Sequence, residues 1–207
     1  FIIGTMSDEN RLWHVWRNGR LQHKATLDGY ANMARAALVL YEVIGDGSYL
    51  AAAERWTAVL DHHFWDDDGG GYFLTADDAE TLIIRTKSAA DHATPAGNGV
   101  VAEVLARLYY VTGKEAYRER AEAVIAAFSG EISENLFPFA TLLNASEMLQ
   151  SAMQIVIVGE RGTPDCEVMF RAAITAPAPC RLITVHPPSA HLPNGHPAFG
   201  KGQENGV

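Results

Sequence analysis

The sequence predicts a mainly helical protein built from αα-hairpins, stacked or closed into a ring, with short β-hairpins and a small C-terminal βαβ-like unit. Three observations carry that prediction. Apolar residues recur at helical spacing through most of residues 27–150. A shift of 68 residues lays Leu40-Tyr41 on Leu108-Tyr109, Val43 on Val111, Gly45 on Gly113, Tyr49 on Tyr117, Ala53-Glu54 on Ala121-Glu122 and Ala58 on Ala126. A repeat that long fits one αα-hairpin plus its connecting loop per unit. After residue 152 the pattern changes to short apolar runs that read as strands. These features divide the chain into hairpins over 1–152 and a small α/β appendage with an irregular tail over 153–207.

The elements follow in order. Leu12-Trp13-His14-Val15-Trp16-Arg17 and Arg20-Leu21-Gln22-His23 flank Asn18-Gly19, a strong hairpin signal because both turn residues tolerate positive φ. From Leu27 the period is helical: Leu27, Tyr30, Ala31, Ala34, Leu38, Tyr41 and Ile44 form one stripe, and Gly45 ends it. A second helix is predicted from about Ser48 to His63. Asp66-Asp67-Asp68-Gly69-Gly70-Gly71 breaks it. Tyr72-Phe73-Leu74 and Leu82-Ile83-Ile84 then predict a short hairpin. Two more helices, about 95–112 and 115–129, are split at Gly113, and a fifth occupies about 138–150. Strands over 155–158 and 181–185 enclose a helix over 164–176. Small residues such as Ala36, Ala37, Ala51, Ala52, Ala126 and Ala127 suit close helix contacts.

Composition narrows the function classes. Hydrophobic residues make up 48% and charged residues 20%, which excludes wholesale disorder. No apolar run approaches a membrane span. Sixteen basic against 25 acidic residues give a net charge of −9, which argues against sequence-independent binding to nucleic acid or anionic lipid. Cys166 and Cys180 share no metal-ligand or CxxC spacing and read as reduced thiols of a cytoplasmic protein. Phe1-Ile2-Ile3-Gly4 lacks an initiator Met and a signal-peptide layout, and the last residues form no element, so the sequence is expected to be a fragment.

Several stretches together carry a resemblance: His23-Lys24-Ala25-Thr26-Leu27-Asp28-Gly29-Tyr30-Ala31; Phe64-Trp65 with Gly70-Gly71-Tyr72-Phe73; Arg85-Thr86-Lys87 with Asp91-His92-Ala93-Thr94-Pro95-Ala96-Gly97-Asn98; and the βαβ-like 155–185. Over roughly residues 10–200 the chain resembles the C-terminal third of the thioredoxin-domain-containing family that includes spermatogenesis-associated protein 20. The resemblance implies a partial α/α toroid of the six-hairpin glycosidase type, similar to N-acylglucosamine 2-epimerases and unsaturated glucuronyl hydrolases. It also implies a thioredoxin-like domain as a partner in the parent chain. No CxxC is present here, so redox activity does not carry over. His92 departs from the small residue the family pattern implies.

In such a toroid the loops entering the inner helices line a central cleft. Asp28 and Asp91 precede helices, where glycoside chemistry would pair them as acid and base and where plain helix capping, which needs no substrate, is the competing reading. His23 and His92 form an alternative proton-transfer pair suited to epimerisation, since imidazole titrates near neutral pH; an ordinary loop histidine is the competing reading. Trp65, Tyr72 and Tyr30 are candidate sugar-stacking residues or core aromatics, and Trp13 and Trp16 read as core. Arg85 and Lys87 alternate on one face and suit an acidic sugar or a phosphate, or simply a solvated face. Asn98 completes the substrate-binding set. Asp91→Asn is expected to remove activity and leave the unfolding midpoint nearly unchanged.

Other matches fail. Residues 195–202 fit GxxxxGK without Ser, Thr or a following helix. Gly159-Glu160-Arg161-Gly162 lacks the dinucleotide glycine spacing. Asp66-Asp67-Asp68 starts like a calcium loop without its later ligands. His62-His63 suits a helix C-terminus, and His186, His191 and His196 form no zinc pattern. No metal or cofactor is implied. The reading is a carbohydrate-active enzyme fragment, a glycoside hydrolase or sugar epimerase with a sugar ligand; the alternative is a non-catalytic scaffold.

Overall fold

A computed structural model describes residues 1–8, 11–80, 83–192, 196 and 198–201. A one-turn helix α1 (Ile2–Thr5) leads into strands β1 (Ser7–Asp8), β2 (Arg11–Arg17) and β3 (Arg20–Lys24), an antiparallel sheet in that order. Asn18 and Gly19 both take positive φ (51° and 75°), as a tight two-residue turn requires. His23 also sits at φ 55°, a conformation side chains rarely adopt. Contrary to the core expectation, Trp16 is 43% exposed, and it forms a T-shaped pair with Phe1, ring centroids 5.5 Å apart.

The helical body follows as α2 (Leu27–Ile44), α3 (Gly47–His63), α4 (Gly97–Thr112), α5 (Glu115–Ala127), α6 (Ser129–Glu134), a 3-10 turn (Phe137–Phe139) and α7 (Ala140–Ser151). Helices α2, α4 and α7 pack side by side as an inner row, while α3 backs α2 and α5 backs α4. Their apolar stripes, including Tyr30, Leu38, Trp56, Leu60, Leu105, Leu108 and Leu142, form one continuous core. Both hairpin corners use a glycine in the left-handed region, Gly45 (φ 80°) and Gly113 (φ 69°), whose N–H groups bond to the carbonyls of Tyr41 and Tyr109. The 68-residue repeat therefore holds in three dimensions, corner for corner.

The expected hairpin of 72–74 with 82–84 does not form among the described residues; Leu82 lies outside them. Gly70 and Gly71 at positive φ turn the chain straight back. Residues 71–73 consequently run along 64–66, with Asp66 N–H on Gly71 O, Phe73 N–H on Phe64 O and a bridge between Trp65 and Tyr72. Ile83 and Ile84 are left exposed. Helix α4 also begins two residues later than the Thr94-Pro95 signal implied, with Ala96 as its N-cap.

Strands β4 (Met153–Val158) and β5 (Arg181–His186) pair in parallel across helix α8 (Pro164–Thr175), in register from Met153↔Arg181 to Val158↔His186. Ile157, Cys166, Ala173 and Ile183 form a small second core under α8. The unit is fixed to the helical body through Arg161, which donates to the carbonyls of Glu42 and Val43 at the end of α2 (both 2.8 Å). Leu182 of β5 also packs into the main core, and Arg107 of α4 ties α4 to α2 by donating to Glu42 (2.7 Å), with a second bond to Glu103 of its own helix (2.8 Å). Both cysteines are free thiols. Among the described residues no helix is long and apolar enough to cross a membrane.

Candidate functional site

The inner helices point the same way, and their N-termini meet at one end of the molecule. Two glycines make that convergence possible. A Cβ on Gly97 would fall 2.7 Å from Leu27 Cγ and still closer to the Asp28 carboxylate, so α4 abuts the first turn of α2 there. A Cβ on Gly99 would fall 3.0 Å from the backbone nitrogen of Leu142, so the next turn abuts α7. Asn98 between them is fully buried. Its Oδ1 accepts from Tyr72 N–H (2.8 Å), and its Nδ2 donates to the carbonyls of Tyr72 and Ser88 (both 2.9 Å). Helix starts carry partial positive charge, so this end of the molecule favours anionic or oxygen-rich groups.

The structure brings Asp28 and Asp91 to consecutive residues of the α4 start. Asp28 lies in the first turn of α2, is exposed, and its carboxylate takes no hydrogen bond among the described residues. Asp91 is differently placed. Its Oδ1 accepts from Ala96 N–H and its Oδ2 from Thr141 N–H, both at 2.8 Å, while its own N–H bonds to Pro138 O. One carboxylate therefore caps the entrance to α4 and the first turn of α7 together. His92 is exposed in the same loop, with its backbone N–H on Thr94 O. His23 stands exposed on β3, and no hydrogen bond links it to the other three.

The substrate-side expectations meet a built scaffold instead. Tyr30 and Tyr72 are completely buried. The Tyr30 hydroxyl accepts from Leu12 N–H (2.7 Å) and Arg11 Nε (3.2 Å), which fastens the β-hairpin to α2. The Tyr72 hydroxyl donates to Asp61 (2.6 Å), and burial pushes its pKa well up. Burial likewise raises the Asp61 carboxyl, against the pull of the Tyr72 hydrogen bond and of Arg120. Trp65 has the Arg120 guanidinium 3.9 Å from its ring centre and forms a T-shaped pair with Tyr72, ring centroids 5.0 Å apart, so part of its ring is already engaged. Tyr30, Tyr72 and Asn98, completely buried, offer a ligand no stacking or bonding surface, while Trp65 is half-buried.

The two cations are used internally as well. Arg85 donates to the carbonyls of Thr75 and His63 and lies 4.3 Å from the Phe73 ring centre. Lys87 pairs with Asp66, donates to Gly70 O and sits 5.7 Å from the same ring. They share a face, as the alternation implied, but that face is turned inward. With Lys87 on Asp66, the aspartate run holds its own loop together.

A cluster the sequence reading missed is His63, Asp77 and Asp78, whose ligand-type atoms all lie within 4.8 Å of one another. Asp78 already accepts from Arg11 (2.7 Å) and Lys24 (2.9 Å), and the Arg11 hydrogen bond above all drives its carboxyl far below the usual range. Two cations thus stand where a metal would have to compete. The contact spans 67 residues, and no local pattern announces it.

No family model matches the chain. Spermatogenesis-associated protein 20 of Rattus norvegicus and that of Homo sapiens are each 31% identical to it over 159 residues, 76% of this chain and 20% of theirs. The chain thus spans about a fifth of the length of the curated relatives it matches. Among solved structures, cellobiose 2-epimerase from Spirochaeta thermophila overlays with a TM-score of 0.50 at 20% identity, over 64% of this chain and 35% of that one. That overlay assigns the inner and outer helices to an α/α toroid. The chain is thus a homologue of one part of spermatogenesis-associated protein 20, folded as α/α-toroid hairpins.

Proposed function

We propose that this chain is part of a sugar-processing toroid, contributing Asp28 and His92 to a cleft at the N-terminal ends of α2, α4 and α7. The single observation that carries the reading is the Asp28 carboxylate, held against Gly97 at the junction of inner helices and taking no hydrogen bond among the described residues. A rigid helix end with one uncommitted carboxylate suits the acid–base work of glycoside hydrolysis or epimerisation. Asp91 holds the geometry through its two backbone bonds, and His92 is the second proton-handling group that chemistry requires. The parent protein's thioredoxin-like domain remains part of the proposal.

The alternative, a non-catalytic scaffold, also has an observation in its favour: Tyr30, Tyr72, Trp65, Arg85, Lys87, Asn98 and Asp91 are all engaged in internal packing or hydrogen bonds. Thermal unfolding against neutral mono- and disaccharides and uronic acids separates the two. A sugar at one hundred times its dissociation constant stabilises by about 2.7 kcal/mol. The carbohydrate reading expects such a shift for one sugar class and its loss in Asp28→Asn. No shift from any sugar, on this chain or on a full-length relative, leaves the scaffold.

A further inference from the structure

The repeat gives every surface of the first hairpin a counterpart in the second. In the first, α3 receives α5. Glu54 of α3 accepts from Lys114 Nζ (2.6 Å) and the Tyr117 hydroxyl (2.9 Å), and Asp61 takes Arg120 at 3.3 Å. Sixty-eight residues on, Glu122 stands where Glu54 does and Ser129 where Asp61 does. Among the described residues no helix occupies that receiving face. A groove of about 690 Å³ opens there between α5 and α7, its walls including Tyr109, Glu122, Ile125, Ala126, Ser146 and Leu149. Among the described residues Glu122 is held only by Arg118, one turn back on its own helix (3.0 Å).

We infer that this groove docks one further amphipathic helix of the α3/α5 kind, from sequence outside these 207 residues, presenting a cation and a tyrosine three residues apart to Glu122. The argument is continuity with an interface the chain already contains. Helix α7 packs on α4 as α4 packs on α2, yet among the described residues only the first two inner helices have an outer helix behind them. By the same relation, an outer helix following α5 as α5 follows α3 would lie in the groove. The tyrosine recurs as Tyr49 in α3 and Tyr117 in α5, and a carboxylate at Glu122 selects a cation beside it, as Glu54 selects Lys114. Charge complementarity at a partly buried edge fixes register more than it adds affinity, while Ile125, Ala126 and Leu149 supply the apolar contact.

The chain's own α5 is the natural probe, because its docking mode is already known. A fluorescent peptide of residues 113–129, held helical by a side-chain lactam because so short a helix is marginal alone, is titrated with the 207-residue protein and followed by anisotropy. Saturable binding is expected. Glu122→Lys on the protein should weaken it at least tenfold, and a peptide carrying Lys114→Glu should recover the loss against that variant. Ala126→Arg, at an exposed position facing the groove, should abolish binding. Circular dichroism of both variants verifies that they are folded. No saturable binding overturns the inference, as does binding that ignores both substitutions. A protein dimer that Ala126→Arg dissolves also overturns it, because the groove would then belong to a second copy.

Discussion

Gly97 and Gly99 are side chains by omission: each missing Cβ is occupied by a neighbouring helix. Gly97→Ala should cost roughly 1–3 kcal/mol, the usual penalty of overpacking, because the added carbon meets Leu27 and Asp28 within the helix junction. Gly130→Ala, where nothing lies within 4 Å, is the control in the same denaturant titration. Asp91→Asn should lower the unfolding midpoint as well, the reverse of the sequence expectation. One carboxylate oxygen becomes an NH2 facing a backbone N–H, and leaving a donor unmet costs about 1–3 kcal/mol; an unchanged midpoint would remove Asp91 from the capping role. At this scale the sequence was half legible. Asp28 and Asp91 could be placed at helix starts from local pattern alone. The duty of Asp91 could not, because Thr141 is 50 residues away. Tyr72 and Asn98 misled for a related reason, since aromatic and amide side chains beside glycines look the same whether they face a ligand or each other.

Elements were more legible than residues. Gly45, Gly113 and Asn18-Gly19 fixed three corners through backbone chemistry, and the bounds of α2, α3 and α5 followed from apolar period. The stretch 72–84 failed because alternation says that a segment is extended and not which segment it pairs with. The β-hairpin is tied to the loop after α3 by Asp78, which receives Arg11 and Lys24. That pairing sets an acid dependence. A carboxyl whose folded pKa is depressed contributes stability above its unfolded value, near 3.9, and loses it as pH falls toward the folded value. Thermal midpoints of the wild type should therefore drop more steeply below about pH 4 than those of Asp78→Asn. Parallel curves would show that the pair contributes nothing measurable, the common fate of exposed ion pairs.

At the scale of the whole molecule, two cores are joined at one seam. Arg161 spans it by bonding the last carbonyls of α2, and the raised Glu42 carboxyl, lifted by burial against the pull of Arg107, lies beneath it. Arg161→Ala should speed amide hydrogen exchange in β4 and β5 while leaving α4 protected; equal protection everywhere would mean the small unit holds on without the arginine. Helix period and the short apolar runs forecast the elements on both sides but not the Arg161 contact between them, because its partners are 118 and 119 residues apart. The seam reaches back into the repeat. A Cβ at Gly45 would meet Arg161 Nε at 2.5 Å, whereas one at Gly113 meets nothing within 4 Å, although both glycines share the left-handed backbone. The two matching corners are thus not interchangeable. Gly113 answers only to its own turn, and Gly45 answers also to a guest. An arginine reaching this seam thus requires glycine at 45, whereas the glycine, demanded by its own left-handed turn, does not require the arginine, so a side chain at 45 would displace Arg161 and loosen the appendage.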